Sequence, residues 1–230
     1  MKTCFILFGV FLGALLLLSC DRRTPVELDL ENENFLDDFD FVLLFKSDSP
    51  QQDSLQAIVY DRAGTFSSLE INGVPEQCDD IQEDPTAYIF TGLAIAPGDT
   101  VTYKLSAGKS SWQGKIIIPE NPSLLLPHFN PDQNFTFSWA CDDDPQKFVV
   151  NYLIYNTVHY HQGNDPYVLT EDREISGTYR SFTVPRSGWS DWISETMDHA
   201  EARVTAYNFR KHENRCVVAA RTFDEGVAGE

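Results

Sequence analysis

The chain is poor in positive charge: 17 Lys and Arg stand against 35 Asp and Glu, a formal net charge of −18 over 230 residues. That balance repels phosphate backbones and argues against nucleic acid as a partner. Helical periodicity is missing as well, because past residue 34 no ten-residue window repeats apolar side chains at three- and four-residue spacing. Catalytic signatures are absent: there is no G-x-S-x-G elbow, H-E-x-x-H pair, Walker loop or dinucleotide fingerprint. No residue is therefore nominated as catalytic and no cofactor is expected. Cysteine is scarce, with Cys4 and Cys20 near the start and then only Cys78, Cys141 and Cys216, an odd number that allows at most one disulfide among the three. Long apolar runs are confined to Cys4–Leu18, which is shorter than the roughly 18 residues a spanning helix needs.

What is present starts at that run. A basic head, Met1-Lys2-Thr3, precedes it, and Leu17-Leu18-Ser19-Cys20 ends it: an aliphatic residue at minus three, a small one at minus one, then cysteine. This resembles the lipobox of bacterial lipoproteins. The resemblance implies a signal peptide over 1–19, a diacylglyceryl group on the Cys20 thiol, cleavage before it and acylation of the new amine by a palmitate-type chain. Each acyl CH₂ withdrawn from water contributes roughly 0.8 kcal/mol, so several chains make a permanent membrane anchor. The expected localisation is the bacterial cell envelope, extracytoplasmic. Asp21 resembles the inner-membrane retention signal of some lineages, which leaves the choice of membrane open. Loss of Lys2 makes the body still more acidic, leaving lipid as its sole attachment to an anionic surface. Residues 20–34, polar and carrying Pro25, read as a lipidated tether.

Beyond the tether, short apolar runs separated by Gly, Pro, Asn and Asp predict an all-β fold. The clearest pair is 100–118, where Val101, Tyr103, Leu105 and Ala107 alternate with polar residues and Trp112, Gly114, Ile116 and Ile118 do so after a Gly108-Lys109-Ser110 turn. Phe39–Phe45, Leu55–Tyr60, Ser68–Ile71 and Ala87–Phe90 add four strands, and Pro97-Gly98-Asp99 turns the chain into the hairpin. Six strands suit a sandwich over 35–119. Residues 120–131, with Pro122, Pro127 and Pro131 following Pro119, read as a stiff junction. A second sandwich is expected over 132–226. Its strands are Phe135–Ala140, the doubly apolar and hence central Phe148–Tyr155, Tyr167–Thr170, Tyr179–Val184, Ala202–Asn208 and Cys216–Phe223, with a charged loop at Arg210–Arg215.

The pieces Phe135-Thr-Phe-Ser-Trp139, Phe148–Tyr155 and Val204-Thr-Ala206-Tyr-Asn208 resemble a fibronectin type III domain over about 100 residues, with Ala200 where the family's corner tyrosine falls. The first half resembles Ig-like lobes of envelope lipoproteins. Together these imply two tandem Ig-like/fibronectin-III-like β-sandwiches, though fold analogy carries no function. The resemblance also places the loop after Trp139 and the loop before the last strand at one pole. It thereby implies a Cys141–Cys216 bridge with Cys78 spare, a Cys78 bridge across the junction being the alternative.

Three groups of side chains could carry function. His159 and His161 alternate on a strand and, with Asp165, could approach Zn²⁺, which is the route to a metal-dependent hydrolase. The opposing reading is an exposed strand end, and no metal is expected. The acidic runs Asp37-Asp38-Asp40, Asp79-Asp80 and Asp142-Asp143-Asp144 lack the D-x-[DN]-x-[DN]-G spacing of a calcium loop and read as solvated turns, the last being the best candidate for a binding loop. Trp189 and Trp192 lie in a Ser/Gly/Asp-rich stretch, where exposure would suit stacking on a sugar or a protein interface. The sequence thus leads to a non-enzymatic, membrane-anchored extracytoplasmic lipoprotein that presents a protein- or glycan-binding surface or acts as an envelope spacer. Its site would be the pole bearing Asp142–Asp144 and Arg210–Arg215.

Overall fold

The computed structural model describes residues 39–228 except 48, 51–53, 84–85, 157–167, 190–196 and 214. Among the described residues no helix is long and apolar enough to cross a membrane. The signal, Cys20 and the tether lie outside them.

The described chain is built from strands: β1 (Phe41–Lys46), β2 (Gln56–Asp61), β3 (Phe66–Ile71), β4 (Val74–Pro75), β5 (Asp80–Glu83), β6 (Thr86–Phe90), β7 (Thr100–Ala107), β8 (Ser110–Ile117), β9 (Ser123–Leu125), β10 (Phe135–Ala140), β11 (Lys147–Tyr155), β12 (Val168–Ser176), β13 (Ser181–Val184), β14 (His199–His212) and β15 (Cys216–Ala228). They form an eight-stranded sheet in the order β12-β11-β14-β15-β1-β2-β6-β5, with a β4-β3-β7-β8 sheet and a β13-β10-β9 sheet besides.

Local chemistry sets the reversals. The hairpin expected at 100–118 is β7 and β8, joined at Gly108, whose φ of 56° an L-residue rarely adopts. At Asn72-Gly73 both residues take positive φ, 51° and 80°, as a two-residue hairpin turn requires, and the chain doubles back from β3 into β4. Alternation then sets the faces: Phe135, Phe137 and Trp139 point into one core, while Thr136 and Ala140 face water.

Two apolar cores lie between sheets. The first is closed by β1, β2, β3, β7 and β8; the second by β10, β11, β13 and β14. The final strand serves both, since Cys216, Val218 and Ala220 fill the first core and Ala228 the second. β15 also pairs in parallel with β1, Phe41 opposite Cys216 through Lys46 opposite Arg221, while β14 runs antiparallel along its whole length. The first core thus draws on residues before and after 120–131, because β15 adds Cys216, Val218 and Ala220 to it. The proline segment between them is pinned. Leu124 N–H donates to Asp224 Oδ2 at 2.7 Å, Thr222 Oγ1 donates to the Glu120 carbonyl at 2.8 Å, and Leu124 and Leu126 pack on the second core.

One strand of the long sheet, β14, outruns its neighbour β11. β11 stops at Lys147 opposite Tyr207, but β14 continues to His212. The strand edge from residue 208 to 212 is therefore vacated on that side and faces β8, the end strand of its own sheet.

Candidate functional site

The vacated edge of β14, β8 and the 141–146 loop enclose an open cleft of about 530 Å³. Lys115, Ile116 and Ile117 line it from β8, Asp143, Asp144 and Gln146 from the loop, and Asn208, Phe209 and Arg210 from β14. Gln146 replaces the missing strand: its N–H donates to Asn208 Oδ1 at 2.9 Å and its Oε1 accepts the Phe209 N–H at 2.6 Å. Asn208 Nδ2 donates across the cleft to the Ile117 carbonyl at 3.0 Å. Asp143, Asp144 and Arg210 line the cleft together, while the rest of the Arg210–Arg215 segment runs on past the end of β14, where Arg215 pairs with Asp40 beside the first core. Part of the charged loop is strand, however, since β14 runs to His212 and Glu213 makes the turn with φ of 54°.

The acidic run is not a set of converging oxygens. Asp144 is taken by Arg180, Nη2 to Oδ1 at 2.6 Å. Asp143 Oδ1 accepts the Cys141 thiol at 3.0 Å, and its Oδ2 accepts the Glu120 N–H at 3.4 Å. Asp142 is exposed and does not line the cleft. Arg180, which sequence reasoning missed, organises the loop. Its Nη1 donates to the carbonyls of Gly177 (2.7 Å) and Tyr179 (2.9 Å), its Nη2 also to that of Asp143 (2.8 Å), and its guanidinium lies 5.4 Å from the Phe148 ring centre. The loop sits so close that a Cβ on Gly177 would fall 1.5 Å from the Pro145 carbonyl oxygen. Only an arginine fork reaches so many acceptors at once.

Beside the cleft, Tyr103 and His212 join the first sheet to the long one. The Tyr103 hydroxyl lies 2.6 Å from His212 Nε2, with the rings edge to face at 86°. Burial pushes the Tyr103 hydroxyl up to about 12 despite the opposing pull of Arg210, and burial together with Arg210 holds His212 below the usual imidazole value. The neutral pair follows: the tyrosine O–H donates and Nε2 accepts. Gly114 makes room, since a Cβ there would meet Tyr103 Oη at 2.7 Å and Arg210 Cζ at 3.4 Å.

Two expectations are corrected. Cys141 and Cys216 are free thiols, Cys141 at the rim of the second core and Cys216 wholly buried in the first. The implied bridge assumed that the last strand opens in the second core, but its first residue pairs with Phe41 and His212 beside the first. Burial pushes both thiols up to about 12, Asp143 adding to the shift of Cys141. Trp189 is not a surface residue. It is fully buried, 6.0 Å from Phe129 between ring centres, and its Nε1 donates to the Pro131 carbonyl at 3.1 Å. The 3-10 turn at Arg186–Gly188 delivers it inward, and its polar setting in sequence disguised that. Trp192, His159, His161 and Asp165 lie outside the described residues. Among the described residues no three His, Cys, Asp or Glu side chains group as metal ligands would.

No protein-family model matches the chain, and no curated protein matches it. Among solved structures it is similar to the chicken CNTN1 FN1-FN3 domains, at 10% identity and a TM-score of 0.28, over 83% of this chain and 64% of that one. The assignment of architecture stands on the sheets themselves. This is an all-β sandwich protein.

Proposed function

We propose that the chain is a bacterial envelope lipoprotein, anchored through lipid on Cys20, whose non-enzymatic body presents the β8/β14 cleft to a protein or glycan partner. The body is read as two Ig-like/fibronectin-III-like lobes sharing their last strands. One observation carries the binding reading: a strand edge vacated by β11, lined by Lys115 and Arg210 in a chain with a net charge of −18. Such a cleft offers both signs of charge, Lys115 and Arg210 against Asp143 and Asp144, beside a strand end that runs past its neighbour, a setting in which a polar partner can be held. The anchor reading rests on Leu17-Leu18-Ser19-Cys20.

Both halves are testable in cells. Labelled palmitate is expected in the wild-type protein and not in Cys20→Ser; label retained in the serine variant would end the anchor reading. Crosslinked capture from envelopes is expected to lose its partner in Lys115→Glu/Arg210→Glu. If every captured protein or glycan survived that pair of changes, the cleft would not be the binding surface.

A further inference from the structure

The end strand of a sheet pairs on one side only, and its open backbone edge accepts another strand unless the edge is short or is blunted by proline, lysine or a bulge. Most sheet ends here are protected in that way. β4 is two residues long and carries Pro75, β9 is three residues, β5 and β13 are four each, and β8 faces β14 across the cleft. β12 is the exception. It runs for nine residues, Val-Leu-Thr-Glu-Asp-Arg-Glu-Ile-Ser, without proline, lysine or glycine. Its ladder with β11 is unbroken from Val168 opposite Tyr155 to Ser176 opposite Lys147. Among the described residues no strand pairs with its other edge.

We infer that β12 is the seam of a homodimer, pairing antiparallel with β12 of a second copy about a two-fold axis at Asp172. Charge selects both the occupant and the register. Glu171 and Arg173 share one face of the strand, and their side chains are 37% and 53% exposed. Within one chain they pair with each other, and the Tyr152 hydroxyl also donates to Glu171. An axis at Asp172 sets each copy's Glu171 directly opposite the second copy's Arg173, and symmetry makes that contact twice. Directly opposed positions lie about 4.5–5.5 Å apart, closer than the roughly 7 Å between positions two apart on one strand. Moving the axis by one residue forfeits the match: at Glu171 the two glutamates oppose each other, and at Arg173 the arginines do so while Asp172 meets Glu174. Asp172 faces its own copy across the axis on the other side of the sheet, where Asn151 Nδ2 donates to its Oδ1 at 2.6 Å. Two opposite pairs therefore stand against one like pair. A foreign strand would have to carry the same alternation of sign; a second copy supplies it by symmetry.

Two eight-stranded sheets then become one continuous sheet. This goes beyond the proposed function and does not depend on it, because no residue lining the β8/β14 cleft lies on β12.

Disulfide trapping in the full chain tests the register. In Asp172→Cys the two thiols oppose each other with about 4.5–5.5 Å between Cα atoms, within the range a disulfide spans. In Ser176→Cys they lie eight residues apart along the seam, about 27 Å. Oxidation with copper phenanthroline, read on non-reducing gels against the unaltered chain, is expected to give at least tenfold more covalent dimer at 172 than at 176. Equal yields would overturn the seam, and association through lipid alone would raise both positions alike. Charge supplies the second readout. Added to Asp172→Cys, Glu171→Arg alone and Arg173→Glu alone are each expected to cut the yield at least tenfold, because like charges then face each other twice. Mixing those two proteins in equal amounts is expected to restore it, since each carries the sign that the other has lost; no recovery on mixing would overturn the pairing. Protection of Cys216, buried in the first core, reports an intact body in every variant. Should a charge variant lose that protection, the comparison of 172 with 176 decides, because both of those chains keep Glu171 and Arg173.

Discussion

Replacement of Trp189 by alanine separates a buried tryptophan from a surface one. The indole is fully buried and its Nε1 donates to Pro131. An aromatic side chain of this kind buries ~150–250 Å², which at ~25 cal/mol/Å² is about 4–6 kcal/mol of transfer free energy. Measured losses for buried Trp or Phe to Ala run at about 3–5 kcal/mol, since the site collapses only partly. The Pro131 carbonyl also loses its donor. Trp189→Ala is therefore expected to cost about 4 kcal/mol, and Trp189→Phe, which keeps most of the ring and loses the hydrogen bond, about 1–2. Urea unfolding of the body followed by far-UV circular dichroism reads both, the first as a large drop in midpoint with little change in slope. A Trp189→Ala protein within about 1 kcal/mol of wild type would refute the burial argument and restore the exposed reading.

Arg180→Lys keeps the charge but not the fork, and should lose about 2–3 kcal/mol, close to the loss in Arg180→Ala; a lysine variant as stable as wild type would show that the carbonyl contacts contribute nothing. The free thiols predict that reducing agent leaves the melting temperature unchanged. They also predict that iodoacetamide at pH 8 spares Cys141 and Cys216 in the native protein, where a value of about 12 leaves roughly one thiolate in ten thousand. His212, held below its unfolded value near 6.5, lets the unfolded chain take up the proton first, so its contribution is present above that pH and lost as pH falls through the folded value. Thermal melts between pH 7.5 and 5 should fall less steeply in His212→Gln than in wild type.

Strands with local alternation were legible in sequence: 100–118, 135–140 and the doubly apolar 148–155 appear where their side-chain periods put them. Strands whose partners lie far away were not. β14 extends past Asn208 through Arg210, Lys211 and His212, polar residues with no local period to announce a strand, because β15 holds them in register. The parallel pairing of β1 with β15 joins residues 175 positions apart, and no turn signal can mark it. Site residues followed the same rule. Loop order placed the Arg210–Arg215 segment beside the acidic loop, but only Arg210 lines the cleft with Asp143 and Asp144, because β14 carries the rest on to Asp40. Arg180 and Trp189 were not, since what they do depends on carbonyls of other segments.

The β1–β15 pairing has a mechanical meaning. Tension between the chain before β1 and the chain after β15 pulls two parallel neighbours in opposite directions along their own axes. All six register pairs from Phe41–Cys216 to Lys46–Arg221 then bear load together instead of opening one at a time. A body loaded between those two ends would resist as a lap joint does, in shear.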